Sequence, residues 1–289
     1  MTIPLEPGQN RLHIVAKNSV GETAKDWRVH LVKPAREKQG NLYLVAVGVS
    51  DYQEDSLDLR YAADDAKALH RILVTQQGKA YQKVESVLLA DDAKTPPTAS
   101  QIKNALNLFD KATEDDTVVL FLSGHGVNED RDYYFLPRDA QQQQNSWHQP
   151  SVVKWRMLQD ALENTQGRRI LLVDTCHSGN AFNSRLVKDA ANAKIVVISA
   201  TDRDSVAQEL PELKHGVFTY ALLKGLRGEA DSNSDKRLKI KELDSYLSNK
   251  IDKLTSGNQV PVLHAPGGFK DFVFARLWNW LLPNWSPKL

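Results

Sequence analysis

The chain contains a single cysteine, Cys176, in 289 residues. One thiol excludes an internal disulfide framework and any zinc site built from several cysteines. An excess of charge of one sign is also missing. Thirty-seven basic residues against 36 acidic ones leave a formal net charge of +1, which gives no bias toward nucleic acid or a membrane surface. No apolar run reaches the roughly 18 residues needed to span a bilayer. The opening MTIPLEPGQNRLHI lacks the basic start and apolar core of a secretory signal, so a cytoplasmic location is expected. What remains is ordinary globular composition, 41% hydrophobic and 25% charged, in a length that suits one large domain with an appendage.

Residues 1–38 read as two short strands, NRLHIVAKN and DWRVHLVK, alternating apolar and polar side chains around the turn NSVGET, with KPAREKQG as a polar linker. A two-stranded hairpin is marginal alone. It is expected either to pack on the main domain or to be the remnant of a larger β module. From Asn41 onward, apolar strands alternate with amphipathic helices. NLYLVAVGV, VESVLLA, TVVLFLS, RRILLVDT and AKIVVISA read as strands, and DYYFLPRDA as a short strand closed by Pro137. LRYAADDAKALHRIL places Leu59, Ala62, Ala63, Ala66, Leu69, Ile72 and Leu73 on one helical face. TASQIKNALNLFDKA opens with a Thr98/Gln101 capping box. VKWRMLQDALENT, GVFTYALLKGLRG and KIKELDSYLSNKIDKL complete the helices. The pattern predicts an α/β fold over residues 39–275, a mainly parallel six-stranded sheet with helices on both faces. A Trp-rich tail occupies residues 276–289. Sheets of this kind bind ligands outside the carboxyl ends of their strands.

Two motifs fall at such ends. VVLFLSGHGVN closes on His125, and RRILLVDTCHSG reaches Cys176, 51 residues later. A thiol becomes a strong nucleophile when a neighbouring base takes its proton, and imidazole is the usual base near neutral pH. A lone cysteine is more often core filler, and a histidine at a strand end more often a satisfied surface residue. The pairing at matching strand ends overturns both readings. Flanking glycines permit close substrate approach. The Gly126 and Cys176 N–H groups are candidate oxyanion donors. His177 is a competing base but points to the opposite strand face, and Ser123 lacks the nucleophile elbow.

LSGHG followed by LLVDTCHSG resembles the caspase superfamily of clan CD cysteine peptidases, with DTCHSG closer to metacaspases and bacterial caspase-like proteins. LYLVAVGVSDYQ…LRYAADDAKAL and ISATDRDSVAQE…HGVFTYALLKGL follow the layout of that family, so the likeness covers roughly residues 41–275. The resemblance implies a caspase-like fold, a His125/Cys176 dyad and peptide-bond hydrolysis through a thioester.

Asp174 lies two residues before Cys176, so strand period places both on one face. A carboxylate there raises a thiol pKa and does not activate it, but it suits a cationic substrate group. The resemblance implies that Asp174 and an acid of the early helix line the pocket for an arginine or lysine preceding the scissile bond. The second position maps onto Asp65, with Asp64 as the alternative. The bland reading is that these acids merely favour a helix start. Arginine fits two carboxylates by bidentate hydrogen bonds, so protein or peptide substrates cut after Arg or Lys are expected. Asp204 or Asp202 is a further candidate for the pocket.

NAFNSRLVKDAANAK reads as a polar surface loop. The resemblance implies self-processing there, with Arg185 and Lys188 as candidate sites. DSNSDKRLKIKE has oxygen-bearing side chains at calcium-loop spacing, Asp231, Asn233, Asp235 and Glu242, but Lys236 stands where the loop needs glycine. It is read as a polar turn. No metal is required by the sequence, and a role for Ca2+ stays open. Trp278, Trp280 and Trp285 read as packing, or, with the N-terminal hairpin, as a surface for a regulatory protein partner. The alternative to an enzyme is a caspase-fold interaction module that no longer cuts, and a third reading is a different cysteine hydrolase.

Overall fold

A computed structural model describes residues 8–17, 19–21, 23–33, 39–129, 132–144, 146–178, 184–201 and 207–277. The chain divides into two compact units between Gln39 and Gly40. In the first, β1 (Gly8–Lys17) and β2 (Thr23–Lys33) pair antiparallel, from Gly8 opposite Lys33 to a bulge at Ala16/Lys17.

The second unit is built on one sheet. Its strands are β3 (Leu42–Gly48), β4 (Val84–Ala90), β5 (Thr117–Glu129), β6 (Asp132–Phe135), β9 (Val153–Lys154), β10 (Arg168–Ser178), β11 (Ile195–Ser199) and β15 (Val262–His264). The main path runs β15-β11-β10-β5-β3-β4. Neighbours are parallel except β15, which is antiparallel to β11. β6 pairs antiparallel with the extended end of β5, and β9 with β6, making eight strands in all. The path has the six strands expected, but β15 takes the place assigned to DYYFLPRDA, which forms β6 off the path. Smaller strands lie outside this sheet: β7 (Gln142–Gln143), β8 (Ser146–Trp147), β12 (Glu209–Leu210), β13 (His215–Gly216), β14 (Arg237–Lys239) and β16 (Val273–Arg276).

Both faces of the sheet are covered because both parities of its strands are apolar. Leu42, Leu44 and Ala46 face one helical layer, and Tyr43, Val45 and Val47 the other. The first layer holds α1 (Ala62–Val74), α5 (Val217–Lys224) and α6 (Ile240–Thr255), which contribute Leu69, Phe218 and Leu243 to the core. The second holds α2 (Ala99–Leu106), α3 (Trp155–Glu163) and α4 (Ser184–Asn192), with Ile102, Leu158 and Leu186 buried. Thr98 caps α2, accepting from the Gln101 N–H at 3.4 Å, but its own N–H donates to the Pro96 carbonyl, so only half of the expected capping box forms. The segment expected as a loop around Arg185 and Lys188 instead contains α4, because Leu186, Ala190 and Ala193 recur at helical spacing and bury against the sheet. Among the described residues no helix is long and apolar enough to cross a membrane. The tail tryptophans Trp278, Trp280 and Trp285 lie outside the described residues.

Gly48, at the carboxyl end of β3, lets α1 approach closely. A Cβ there would come 2.2 Å from the Ala62 carbonyl oxygen and 2.7 Å from the Ala66 Cβ. Gly48→Ala is therefore expected to destabilise the fold by about 1–3 kcal/mol. A lowered urea midpoint with an unchanged slope checks it.

Candidate active site

The order of strands reverses between β3 and β5, and a crevice opens outside their carboxyl ends at such a switch. β5 and β10 run in parallel register from Thr117/Arg168 to Val127/Ser178, which sets Cys176 directly opposite His125. Neighbouring strands lie about 4.8 Å apart, so the two backbones hold this pair as adjacent rungs.

The segment after β3 folds back over this edge and fixes the imidazole. Tyr52, buried, accepts a hydrogen bond from the His125 N–H through its hydroxyl at 2.9 Å, and its ring lies 5.3 Å from the imidazole. A short 3-10 turn, Asp55–Leu57, presents the Leu57 carbonyl, to which His125 Nε2 donates at 2.8 Å. A carbonyl only accepts, so the contact fixes the tautomer with the proton on Nε2 and leaves Nδ1 as the basic nitrogen. Burial pushes the His125 pKa below its ordinary value, against the upward pull of the Leu57 carbonyl and Glu209. The ring is thus held neutral, the form a base needs. Both flanking glycines are set by close contacts. A Cβ on Gly124 would meet the Tyr52 hydroxyl at 2.9 Å, and one on Gly126 the Tyr133 hydroxyl at 2.5 Å.

Beside this pair lies an acidic slot. Asp174 belongs to β10 and shares the parity of Ile170 and Leu172, so it faces α1 and α5. Its Oδ2 accepts from the Thr219 N–H at 3.2 Å and the Thr219 hydroxyl at 2.6 Å, which occupies an orphan donor in the first turn of α5. Asp65 occupies the buried face of α1 with Ala62, Ala66 and Leu69. It accepts from the Gly216 N–H at 3.1 Å and from His215 Nδ1 at 2.6 Å. The two acids meet at Gly216, where a Cβ would lie 2.8 Å from Asp174 Oδ2 and 3.1 Å from Asp65 Oδ2. They are 7% and 2% exposed, and among the described residues neither has a lysine or arginine as ion-pair partner. Burial pushes Asp174 up to about 6, with Glu209 adding to the rise and Thr219 opposing it. Burial first, then the charge of Asp174, raises Asp65 well above the carboxylate range. Asp64 is exposed and ion-pairs with Lys67 at 2.7 Å, so it is not part of the slot.

Several contributors carried little signal in the sequence. The Leu57 carbonyl has none, because the side chain is irrelevant to it. Glu209 sits in a hairpin of β12 and β13 opposite Gly216, accepts from the Arg60 and Tyr61 N–H groups, and adds negative charge near Asp65, Asp174 and His125. Thr219 had a usable signal, a lone hydroxyl on a helix face otherwise made of Val217, Phe218, Ala221 and Leu222. Asp204 and Asp202 lie outside the described residues.

The calcium-like stretch is a set of turns. Asp231 accepts from the Lys236 N–H at 3.0 Å, Asn233 from the Asp235 N–H at 2.8 Å and Asp235 from the Arg237 N–H at 2.7 Å, while Glu242 accepts from the Lys239 N–H. Lys236, in the glycine position, has a φ of 62°. Among the described residues no group of three or more His, Cys, Asp or Glu side chains is placed to hold a metal ion.

A model of the peptidase C14 family, described as the caspase domain, matches residues 43–273. Metacaspase-4 of Arabidopsis thaliana is 22% identical over 203 residues, 67% of this chain and 44% of the plant protein, so the chain spans less than half the length of that curated relative. The crystal structure of protein GSU0716 from Geobacter sulfurreducens matches with a TM-score of 0.56 at 15% identity, covering 80% of this chain and 95% of that one. This last is a likeness of fold alone.

Proposed function

The chain belongs to the caspase-domain family, and from that premise we propose that it is a cysteine endopeptidase that cuts after arginine or lysine. In this reading His125 Nδ1 takes the Cys176 proton, and the thiolate attacks the scissile carbonyl. The oxyanion is met by the Gly126 and Cys176 N–H groups. Collapse gives a thioester, the leaving amine takes the proton from the imidazolium, and water then hydrolyses the thioester with the imidazole again as base.

The observation that carries the specificity is the pair of buried carboxylates around Gly216 with no lysine or arginine partner among the described residues, His215 alone reaching Asp65. Burying an uncompensated charge is costly, and an incoming guanidinium or ammonium supplies the missing partner. Capping α5 accounts for one oxygen of Asp174, but it does not explain a second buried acid beside it. Glu209 belongs to the same slot in this reading, as a third source of negative charge. Self-processing after Arg185 or Lys188 is part of the proposal too. Since both residues sit on α4, cleavage there requires that helix to open locally.

The test is a fluorogenic peptide panel with Arg, Lys and Asp before the scissile bond, with Cys176→Ala as control. Arg and Lys peptides are expected to exceed the Asp peptide by at least about 100-fold in kcat/KM. For the Arg peptide, kcat/KM is expected to fall as pH drops below about 6, where Asp174 takes up its proton. A preference for Asp removes the pocket assignment. No turnover of any peptide, with the thiol still open to alkylation, favours the non-cleaving interaction module.

A further inference from the structure

At the opposite end of the sheet, where β10 and β11 begin, a cavity of about 530 Å³ is lined by Arg168, Arg169, Lys194 and Lys270, with Phe269 and Phe272 as its apolar wall. We infer that this cavity binds a small anion carrying two or more phosphate groups. The charge there is not a reflection of composition, since the whole chain is balanced at 37 basic and 36 acidic residues. Elsewhere Lys67, Lys83, Lys111, Arg138, Arg156 and Lys250 each pair with a carboxylate. Among the described residues, none of the four cavity cations does so.

Asp271, the one acid in the lining, offsets one of the four charges and leaves an excess of cations. Asp271 turns its Oδ1 to the Lys241 and Phe272 N–H groups at 3.2 and 3.1 Å. Arg169 is spread between the Ala193 and Thr165 carbonyls, and its Nε is buried with no hydrogen-bond partner. Arg168 lies over the Phe272 ring at 5.0 Å, and Phe269 meets Phe272 edge-on at 5.9 Å. Cations lining one cavity repel one another, and an anion bound there turns that repulsion into attraction. The Arg168 guanidinium can match phosphate oxygens bidentately, with the lysines as point charges and Arg169 as a fixed charge behind them. The volume fits a small molecule. Arg168 and Cys176 are eight residues apart on β10, roughly 26 Å of strand, so the site is separate from the acidic slot and does not depend on the reading of it.

The probes are inorganic pyrophosphate and ATP, titrated separately into the full chain by calorimetry at low and physiological salt. Saturable one-to-one binding is expected with Kd below about 1 mM, weakening as salt is added. Lys194→Glu combined with Lys270→Glu, both exposed positions, is expected to weaken it by at least about tenfold while leaving the melting temperature of the ligand-free chain unchanged. Arg168→Gln serves as the second variant if the double one does not fold. Equal affinity for the two probes assigns recognition to the phosphates alone. Tighter ATP binding adds the Phe269/Phe272 wall. Both outcomes support the site. Failure of both probes to saturate, undiminished binding by the variants, or binding of an acidic peptide in their place overturns it.

Discussion

Replacing Asp174 by asparagine is expected to make the protein more stable and the enzyme nearly inactive on arginine substrates. At pH 7 the gain should be about 1–3 kcal/mol, and the loss in kcat/KM about 100- to 1,000-fold. The sign of the first effect follows from the buried carboxyl. Burial lifts its folded-state pKa to about 6, while in the unfolded chain the group titrates near 3.9. Between those values the folded protein holds a proton that the unfolded chain has released, so stability falls as pH rises from about 4 to about 6 and stays lower above. Asparagine removes the charge and with it that decline. It still offers an oxygen to the Thr219 N–H and hydroxyl. Equilibrium unfolding of both proteins at pH 4.5 and 7 checks this, with the advantage of the variant confined to the higher pH.

Alanine at the same position behaves differently. It leaves the Thr219 donors without their acceptor, so Asp174→Ala should lose stability as well as activity. A purely structural cap would tie activity to stability in both variants. A substrate pocket separates them in the asparagine variant, because what binds the guanidinium is the charge and not the hydrogen-bond geometry. The rise should also appear in KM for arginine peptides before it appears in any slower chemistry.

The sheet was legible because its strands are apolar at both parities, and only a two-faced sheet asks for that. Asp65 was preferred to Asp64 through the family resemblance, and helical phase agrees with its burial. Asp65 shares the face of Ala62, Ala66 and Leu69, whereas Asp64 is three residues before Lys67, its ion-pair partner. Other parts left weaker traces. β15 is three residues long, too short for periodicity to separate from a loop. α4 was hidden by polarity, since among its described residues only Leu186 and Ala190 are buried. His215 and Thr219 reach the slot through a hairpin and a helix start 41 and 45 residues after Asp174, and the pattern of GVFTYALLKGLRG marks a buried helix without saying what its first turn faces. The Leu57 carbonyl lies beyond any residue-type argument, because any side chain could stand above it.

Cys176→Ala is expected to abolish peptide turnover, by at least about 10⁴-fold, and to leave the chain uncut at Arg185 and Lys188, the proposed self-processing positions. The stronger test is of the pair. Because Cys176 is the sole cysteine, alkylation with iodoacetamide reports its thiolate and no other. In the proposed dyad His125 Nδ1 takes the Cys176 proton, so the alkylation rate should inflect well below the ordinary thiol pKa of about 8.5. In His125→Ala the inflection should return to about 8.5 or rise above it, since Asp174 and Glu209 leave negative charge near that strand end and a carboxylate opposes thiolate formation. The same variant should lose about 10²–10⁴-fold in kcat/KM. The two curves together separate chemistry from folding. A misfolded His125→Ala chain would expose its thiol and alkylate faster at every pH, whereas loss of the base slows alkylation at neutral pH and restores it in alkali. An unshifted inflection in the variant would mean that imidazole and thiol, though on facing rungs, do not share a proton.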